Sequence, residues 1–350
     1  MCTTVLHLNN TIATRCIPTA SRCILQKRFA HASSWLQIHP EVEEALNTKS
    51  KPVVALESTI VAHGMPYPQN LELALDVESI LSKLDVVPAT IAVKNGICQI
   101  GLSVNDLEDL ARAGPEGRAK KCSTRDLPMM LARKANNSHP SSTLWGATTV
   151  ASTMRLAHVA GISTFVTGGI GGVHRNGENS MDVSADLIEM SQTPVIVVSA
   201  GIKSILDIQK TMEVLETYSV PACGWQTDEF PSFFSPSSGV SCPSRVDTAD
   251  EVARIYWASR QLQLQQGMLV AVPNHDPAGA NVESAIQEAL READANHILG
   301  KDVTPFILKR VAETTKGDSL KSNIALVKQN AKVGASIAKA IAEMVDQTAV

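Results

Sequence analysis

The 350-residue sequence contains no run of 18 or more apolar residues, so neither a membrane-spanning helix nor a membrane partner is expected. It lacks a long basic block and carries a formal net charge of −4, which leaves no footprint for a nucleic-acid partner. A small anionic substrate needs only a few local cations and stays compatible with that charge. Its seven cysteines form neither a CxxC pair nor a regular spacing, so reduced thiols in an intracellular compartment are expected. Acidic residues are missing altogether from the first 40 positions, which hold Arg15, Arg22, Lys27 and Arg28 among many Ser and Thr. That is the composition of a mitochondrial transit peptide, here expected over residues 1–36, with a matrix location for the rest; a plain unstructured tail is the alternative, with a cytoplasmic location.

What is present is enough for a sizeable core: 44% apolar and 19% charged residues do not describe a disordered chain. Residues 37–350 read as one domain. Short β-branched runs alternate with amphipathic stretches. Strands are expected at Pro52–Leu56, Thr90–Val93, Ile97–Ile100, Thr164–Thr167, Pro194–Ser199, Val220–Trp225 and Met268–Val272. Helices are expected at 41–47, 70–84, 103–113 (capped by Ser103), 146–160, 203–218, 248–265, 282–296, 305–314 and 323–345. Asn95-Gly96 between two apolar runs signals a tight hairpin, so the sheet must be mixed. The resulting fold class is α/β, a three-layer α/β/α arrangement around a mixed central sheet. Segments 134–145 and 230–246 read as loop excursions from that domain.

Ligands of open α/β sheets bind beyond the carboxyl ends of the strands, and three unusual features fall there. Glu57 directly follows PVVAL, where burial would raise its pKa and suit it to general acid work. A helix cap or an ion pair is the structural alternative. Gly168-Gly169-Ile170-Gly171-Gly172 follows TFVT and would let backbone N–H groups cradle an anion; it matches neither the GxGxxG nor the P-loop pattern, and a tight structural turn stays open. Lys203 follows PVIVVSAG, with small residues ahead of it; a desolvated amine there is a nucleophile toward a carbonyl. An exposed lysine in the first turn of a helix is the alternative. Asp182, Ser184 and Asp186 alternate, and in an extended segment they would offer hard oxygen ligands on one face to magnesium or manganese. A turn with an Asp cap competes with that reading. Lys121, Arg125 and Asp126 (KKCSTRD) form a cluster that would hold a phosphate, or simply a solvated surface. His174, just after the glycines, is as readily structural.

The stretches VVALESTIVAHGMPYPQN (53–70), PATIAVKNGICQIGLS (88–103), GATTVASTM (146–154), TFVTGGIGGVHR (164–175), MDVSADL (181–187), SAGIKSILD (199–207) and GDSLKSNIALV (317–327) resemble the pseudouridine-5'-phosphate glycosidase family, also called indigoidine synthase A-like proteins. The likeness runs from about Ile38 to Ile341, and ALEST-x3-HGMP together with TGGIGGVHR makes it specific. It implies cleavage of pseudouridine 5'-phosphate to uracil and ribose 5-phosphate, a manganese or other divalent cofactor, and a homotrimer. By motif position it implies Glu57 as proton donor, Lys203 as nucleophile and Asp182 as metal ligand. Lys121, Val150, Ser184 and Asp186 would touch substrate, with His174 and Asn323 added from GGVHR and LKSN. Asn136 to Trp145 stands where members have a short link, so access to the site is expected to differ.

The implied chemistry is ring opening of the ribose with an acid assisting, an imine between Lys203 and C1', C–C cleavage and protonation of the uracil carbon. A C–C glycosidic bond offers no leaving oxygen to protonate, which separates this from two-carboxylate glycosidases. Two other classes stay open: a sugar-phosphate aldolase or lyase using the same amine on another substrate, and a non-catalytic phosphoribosyl-metabolite binding module. A contribution to pigment biosynthesis is a weaker third.

Overall fold

The computed structural model describes residues 35–132, 143–235, 238–279, 281–298 and 303–348. Residues 1–34 of the expected leader and most of the 136–145 loop lie outside them. The unit from Leu36 onward carries the strands and helices of the fold.

Its strands are β1 (Leu36–Ile38), β2 (Val53–Leu56), β3 (Val87–Lys94), β4 (Ile97–Ile100), β5 (Ala119–Cys122), β6 (Trp145–Thr148), β7 (Thr164–Val166), β8 (Val173–His174), β9 (Ile196–Ser199), β10 (Leu206–Asp207), β11 (Ala222–Trp225), β12 (Ser244–Val246) and β13 (Met268–Ala271). Eleven form one sheet in the order β1-β4-β3-β2-β7-β9-β13-β11-β12, with β6 joined to β3 and β5 joined to β6. From β3 to β12 along that path every pairing is parallel, while β4 and β6 run antiparallel to β3. The sheet is therefore mixed, as expected. All residues of β2, β7, β9 and β13 are buried, and since alternate side chains point to opposite faces, both faces must be covered. The long helix Asp318–Thr348 lies so close to β7 that a Cβ on Gly334 would collide with Val166.

Local chemistry explains the elements that agree with expectation. Asn95 and Gly96 have φ of 51° and 79°, the two positive values a type I′ turn requires, and Lys94 pairs with Ile97 across it. Ser103 accepts from the Asp106 N–H and starts the helix Val104–Ala113.

Three expectations change. Residues 146–149 are not helical: Trp145–Thr148 is strand β6, held by β3 and β5, and the helix begins only at Val150 behind the Thr149 cap. Long-range pairing outweighs local propensity there. The helix expected from Lys203 begins at Ile208, with Asp207 as its cap, because Leu206–Asp207 pairs with β8. Lys203 is therefore in a turn. Asp182 and Ser184 share an extended segment, but Ala185 opens a helix (Ala185–Gln192), so Asp186 leaves the period-two alternation for a first helical turn. The sequence reading also missed β1, β5 and the short helix Thr59–His63. β1 begins at Leu36, inside the stretch set aside as leader.

Candidate active site

The carboxyl ends of β2, β7 and β9 open into one cleft of about 310 Å³. Glu57, Lys121, Val150, His174, Asp182, Ser184, Asp186, Lys203 and Asn323 all line it, although they come from segments scattered over the chain. The strand ends bring them together, as the parallel order requires.

Glu57 is the first residue beyond β2 and is only 8% exposed. The Thr167 hydroxyl donates to its Oε1 in a short hydrogen bond. Burial pushes its carboxyl above the ordinary carboxylate range; Lys203, the Thr167 hydroxyl and Lys121 pull it down, while Asp186 adds to the rise. A group set this way can hold a proton and still lie close to a cation.

Lys203 follows Ser199, the buried last residue of β9, after Ala200-Gly201-Ile202. Gly201 turns the chain with φ of 82°, and a side chain there would strike the Pro231 carbonyl. The loop is laced to the glycine run: Ile170 N–H donates to the Gly201 carbonyl at 3.0 Å, and Lys203 N–H donates to the Ile170 carbonyl at 3.2 Å. Lys203 is thus on a rigid turn facing Glu57.

Two N–H groups of the glycine run, expected as an anion cradle, are engaged within the protein. Its Ile170 N–H is used as just described, and its Gly171 N–H donates to Asp186 Oδ2 at 2.8 Å. Its glycines also permit close packing. A Cβ on Gly169 would meet the Phe233 ring, one on Gly171 would meet Ser184 and Asp186, and one on Gly172 would meet Thr211. Asp186 also accepts from the Ala151 N–H at 3.0 Å, so its two oxygens tie the glycine run to the start of helix Val150–Ala160. Its first task is to shape the cleft wall that includes Val150. Ser184 caps the next helix, accepting from the Asp186 N–H.

Of the charged cluster, Lys121, Arg125 and Asp126 all line the cleft. Asp126 mainly closes a capping box with Ser123. His174 Nδ1 lies 3.8 Å from Asp182 Oδ2. Burial holds the imidazole below its usual pKa, with Lys121 and Lys203 acting in the same sense against Asp182, so it is neutral at neutral pH. Asn323 comes from the helix 318–348; it is 6% exposed, and its Oδ1 has no hydrogen-bond partner. A buried acceptor without a donor is costly unless a ligand supplies one.

No group of three or more His, Cys, Asp or Glu is gathered for a metal among the described residues. A closed protein cage for manganese therefore does not fit. An open site does: Asp182 offers a hard oxygen at the cleft, and such ions keep water and take substrate oxygens as their other ligands.

Sequence reasoning missed Thr167, whose partner is 110 residues away, and Phe233. Phe233 is the first central residue of a tight turn in which Ser232 and Ser235 exchange backbone hydrogen bonds. Its φ of 57° is one normally left to glycine at that position, at a cost of roughly 1–3 kcal/mol for another residue. The turn is held by Phe233 N–H on the Ala200 carbonyl and by Asn274 Nδ2, which bridges the Phe233 carbonyl and Ser322. No sequence signal marks it, since phenylalanine is a poor turn former. Thr304, Pro305 and Leu308, from the helix Val303–Thr314, complete the cleft.

The chain is similar to known proteins over most of its length. The family model for indigoidine synthase A-like proteins matches residues 41–340. The pseudouridine-5'-phosphate glycosidase of Arabidopsis thaliana is 48% identical over 314 residues, covering 89% of this chain and 92% of that protein. The one from Escherichia coli K12 is 49% identical over 307 residues, covering 87% and 95%. Among solved structures, a prealnumycin C-glycosynthase in complex with ribulose 5-phosphate superposes with a TM-score of 0.78 at 34% identity, covering 89% of this chain and 99% of that one. An indigoidine synthase A-like protein from Thermotoga maritima gives 0.73 at 36% identity, covering 87% and 95%.

Proposed function

This chain belongs to the indigoidine synthase A-like family, and from that premise we infer that it is an enzyme cleaving the C–C glycosidic bond of pseudouridine 5'-phosphate to uracil and ribose 5-phosphate. The observation that carries the reading is the meeting of a buried acid, Glu57, and a turn-mounted amine, Lys203, in one cleft with Lys121, His174 and Asn323, whose Oδ1 has no hydrogen-bond partner. The C-glycosynthase that superposes on this chain binds a pentose phosphate, a ligand of the same class as the proposed sugar product.

The steps follow from what each residue can do. Glu57 gives its proton to the ribose ring oxygen as the bond from that oxygen to C1' breaks. The lone pair of the Lys203 amine takes the vacated position on C1'. Its surplus proton returns to Glu57. Glu57 then protonates the uracil carbon while the nitrogen lone pair forms the C=N bond and the C1'–C bond breaks. The imine thus arises as uracil leaves, which orders the events differently from an imine made beforehand. Water hydrolyses it, freeing ribose 5-phosphate and restoring the amine. Lys121 and Arg125 supply positive charge for the phosphate, and binding at that remote end helps to drive ring opening. Asn323 offers an acceptor to an N–H of the ligand, and neutral His174 a donor or acceptor to a sugar hydroxyl. Asp182 would hold the divalent ion, which when bound would neutralise anionic oxygens of the substrate.

The test is incubation with pseudouridine 5'-phosphate and manganese, with uracil release read by absorbance. Lys203→Ala is expected to abolish turnover, and borohydride to trap a sugar adduct on Lys203 in the wild type. Full activity in that variant, or no adduct, rejects the amine's role. A homotrimer and a mitochondrial matrix location are proposed on the family pattern and on the acid-free first 40 residues. Light scattering and import into isolated mitochondria test them.

A further inference from the structure

Thr167 is the first residue beyond β7, 2% exposed, and its hydroxyl is donated to Glu57 Oε1. Its backbone is fixed on both sides. The N–H donates to the Val198 carbonyl at 3.0 Å, and the carbonyl accepts from Asn330 Nδ2 at 2.8 Å. The hydroxyl's place is therefore set by the sheet and by the helix 318–348, before any ligand arrives. A threonine hydroxyl has a single hydrogen to give. Once that hydrogen is on Oε1, the acid proton of Glu57 belongs on Oε2.

We propose that Thr167 is a positioning residue, which occupies Glu57 Oε1 and so leaves Oε2 as the oxygen that delivers the proton to the substrate. This rests on Glu57 acting as proton donor. Besides Thr167, the groups that face Glu57 are Lys203 from the turn after β9, Lys121 from β5 and Asp186 from the helix 185–192. Burial favours the neutral acid, and the Thr167 donor favours the carboxylate. Loss of the donor thus raises the pKa of Glu57. Activity that needs protonated Glu57 falls as pH rises through that pKa, so without the hydroxyl the descending limb of the profile moves to higher pH.

Two substitutions separate this from packing. Thr167→Val keeps the shape and removes the donor; Thr167→Ser keeps the donor and removes a methyl group. Positioning predicts that Thr167→Val loses about tenfold in kcat with KM nearly unchanged, and that its descending limb moves up by about one pH unit. Thr167→Ser is expected to stay close to wild type with an unshifted limb. The reverse ranking, with Val like wild type and Ser impaired, is what packing alone would give, and it overturns the proposal. If Thr167→Val does not fold, Thr167→Ala carries the same expectation. A second readout needs no turnover: infrared titration of the Glu57 carboxyl in protein labelled with 13C-glutamate, with Glu57→Gln as the subtraction control. An unchanged titration in the donor-free variant also overturns the proposal. If the wild type releases no uracil, the functional reading falls, while the infrared titration still decides the role of Thr167.

Discussion

At Glu57 one carboxyl answers to opposed influences, since burial favours its neutral form and two lysines and a hydroxyl favour its charged form. Glu57→Gln, which fits the same space and cannot give up a proton, is expected to lower kcat by about 10²–10⁴, measured as uracil release. It should also change the pH dependence of stability. The folded-state pKa is raised, so wild type and variant should respond alike below the ordinary glutamate value of about 4.3. As pH climbs through the raised pKa, the wild type alone must ionise a buried acid and loses stability against the variant. One pH unit of displacement corresponds to about 1.4 kcal/mol, readable in urea titrations at several pH values. Glu57 and Lys203 were legible in the sequence because each directly follows a strongly apolar strand. Thr167 was not, because its meaning lies in a partner that only the pairing of β2 with β7 brings near.

Among the elements, the 232–235 turn and the glycine run act as one clamp on the Lys203 loop. Phe233 combines a left-handed backbone with a buried ring, which gives an unusual stability ranking. Phe233→Ala loses the ring and keeps the strained φ. Phe233→Gly loses the ring and relieves the strain, and should unfold at higher urea than the alanine variant by about 1 kcal/mol. Both should lose activity, since each empties the space against Gly169. Gly171→Ala drives a methyl into Ser184 and Asp186, and is expected to cost about 1–3 kcal/mol and most of the turnover. Thermal unfolding together with uracil release checks it. The hairpin at Asn95-Gly96 was legible because two adjacent residues suffice to specify it. β6 was not, because Gly146-Ala147 is weakly disposed to any element and its strand identity comes from Val93 and Lys120 across the ladder. The close packing of the glycine run was not legible, because its neighbours Phe233, Ser184, Asp186 and Thr211 come from other segments of the chain.

For the whole molecule, the α/β class, the mixed sheet and the gathering of the chemistry at one edge were all legible, because alternation of strands and helices leaves few ways to cover a sheet. The order of the strands was not, since similar buried runs of β-branched residues do not say which is whose neighbour. Leu36–Ile38 adds a strand beside β4, so its removal should be felt. A protein starting at residue 35 is expected to keep full turnover. One starting at residue 39 strips the edge of β4 and should melt several degrees lower, as differential scanning calorimetry would show.

The helix 318–348 covers β7, supplies Asn323 to the cleft and grips the carbonyl of Thr167 through Asn330. During translation every strand of the sheet emerges before this helix does. Until it arrives, Val166 and Val198 lack their cover, and a chain halted before residue 318 would be an inert, sticky intermediate. Competence for catalysis is thereby deferred until this helix has been made, and a stop codon ahead of it should yield a client for chaperones and proteases rather than a weakened enzyme.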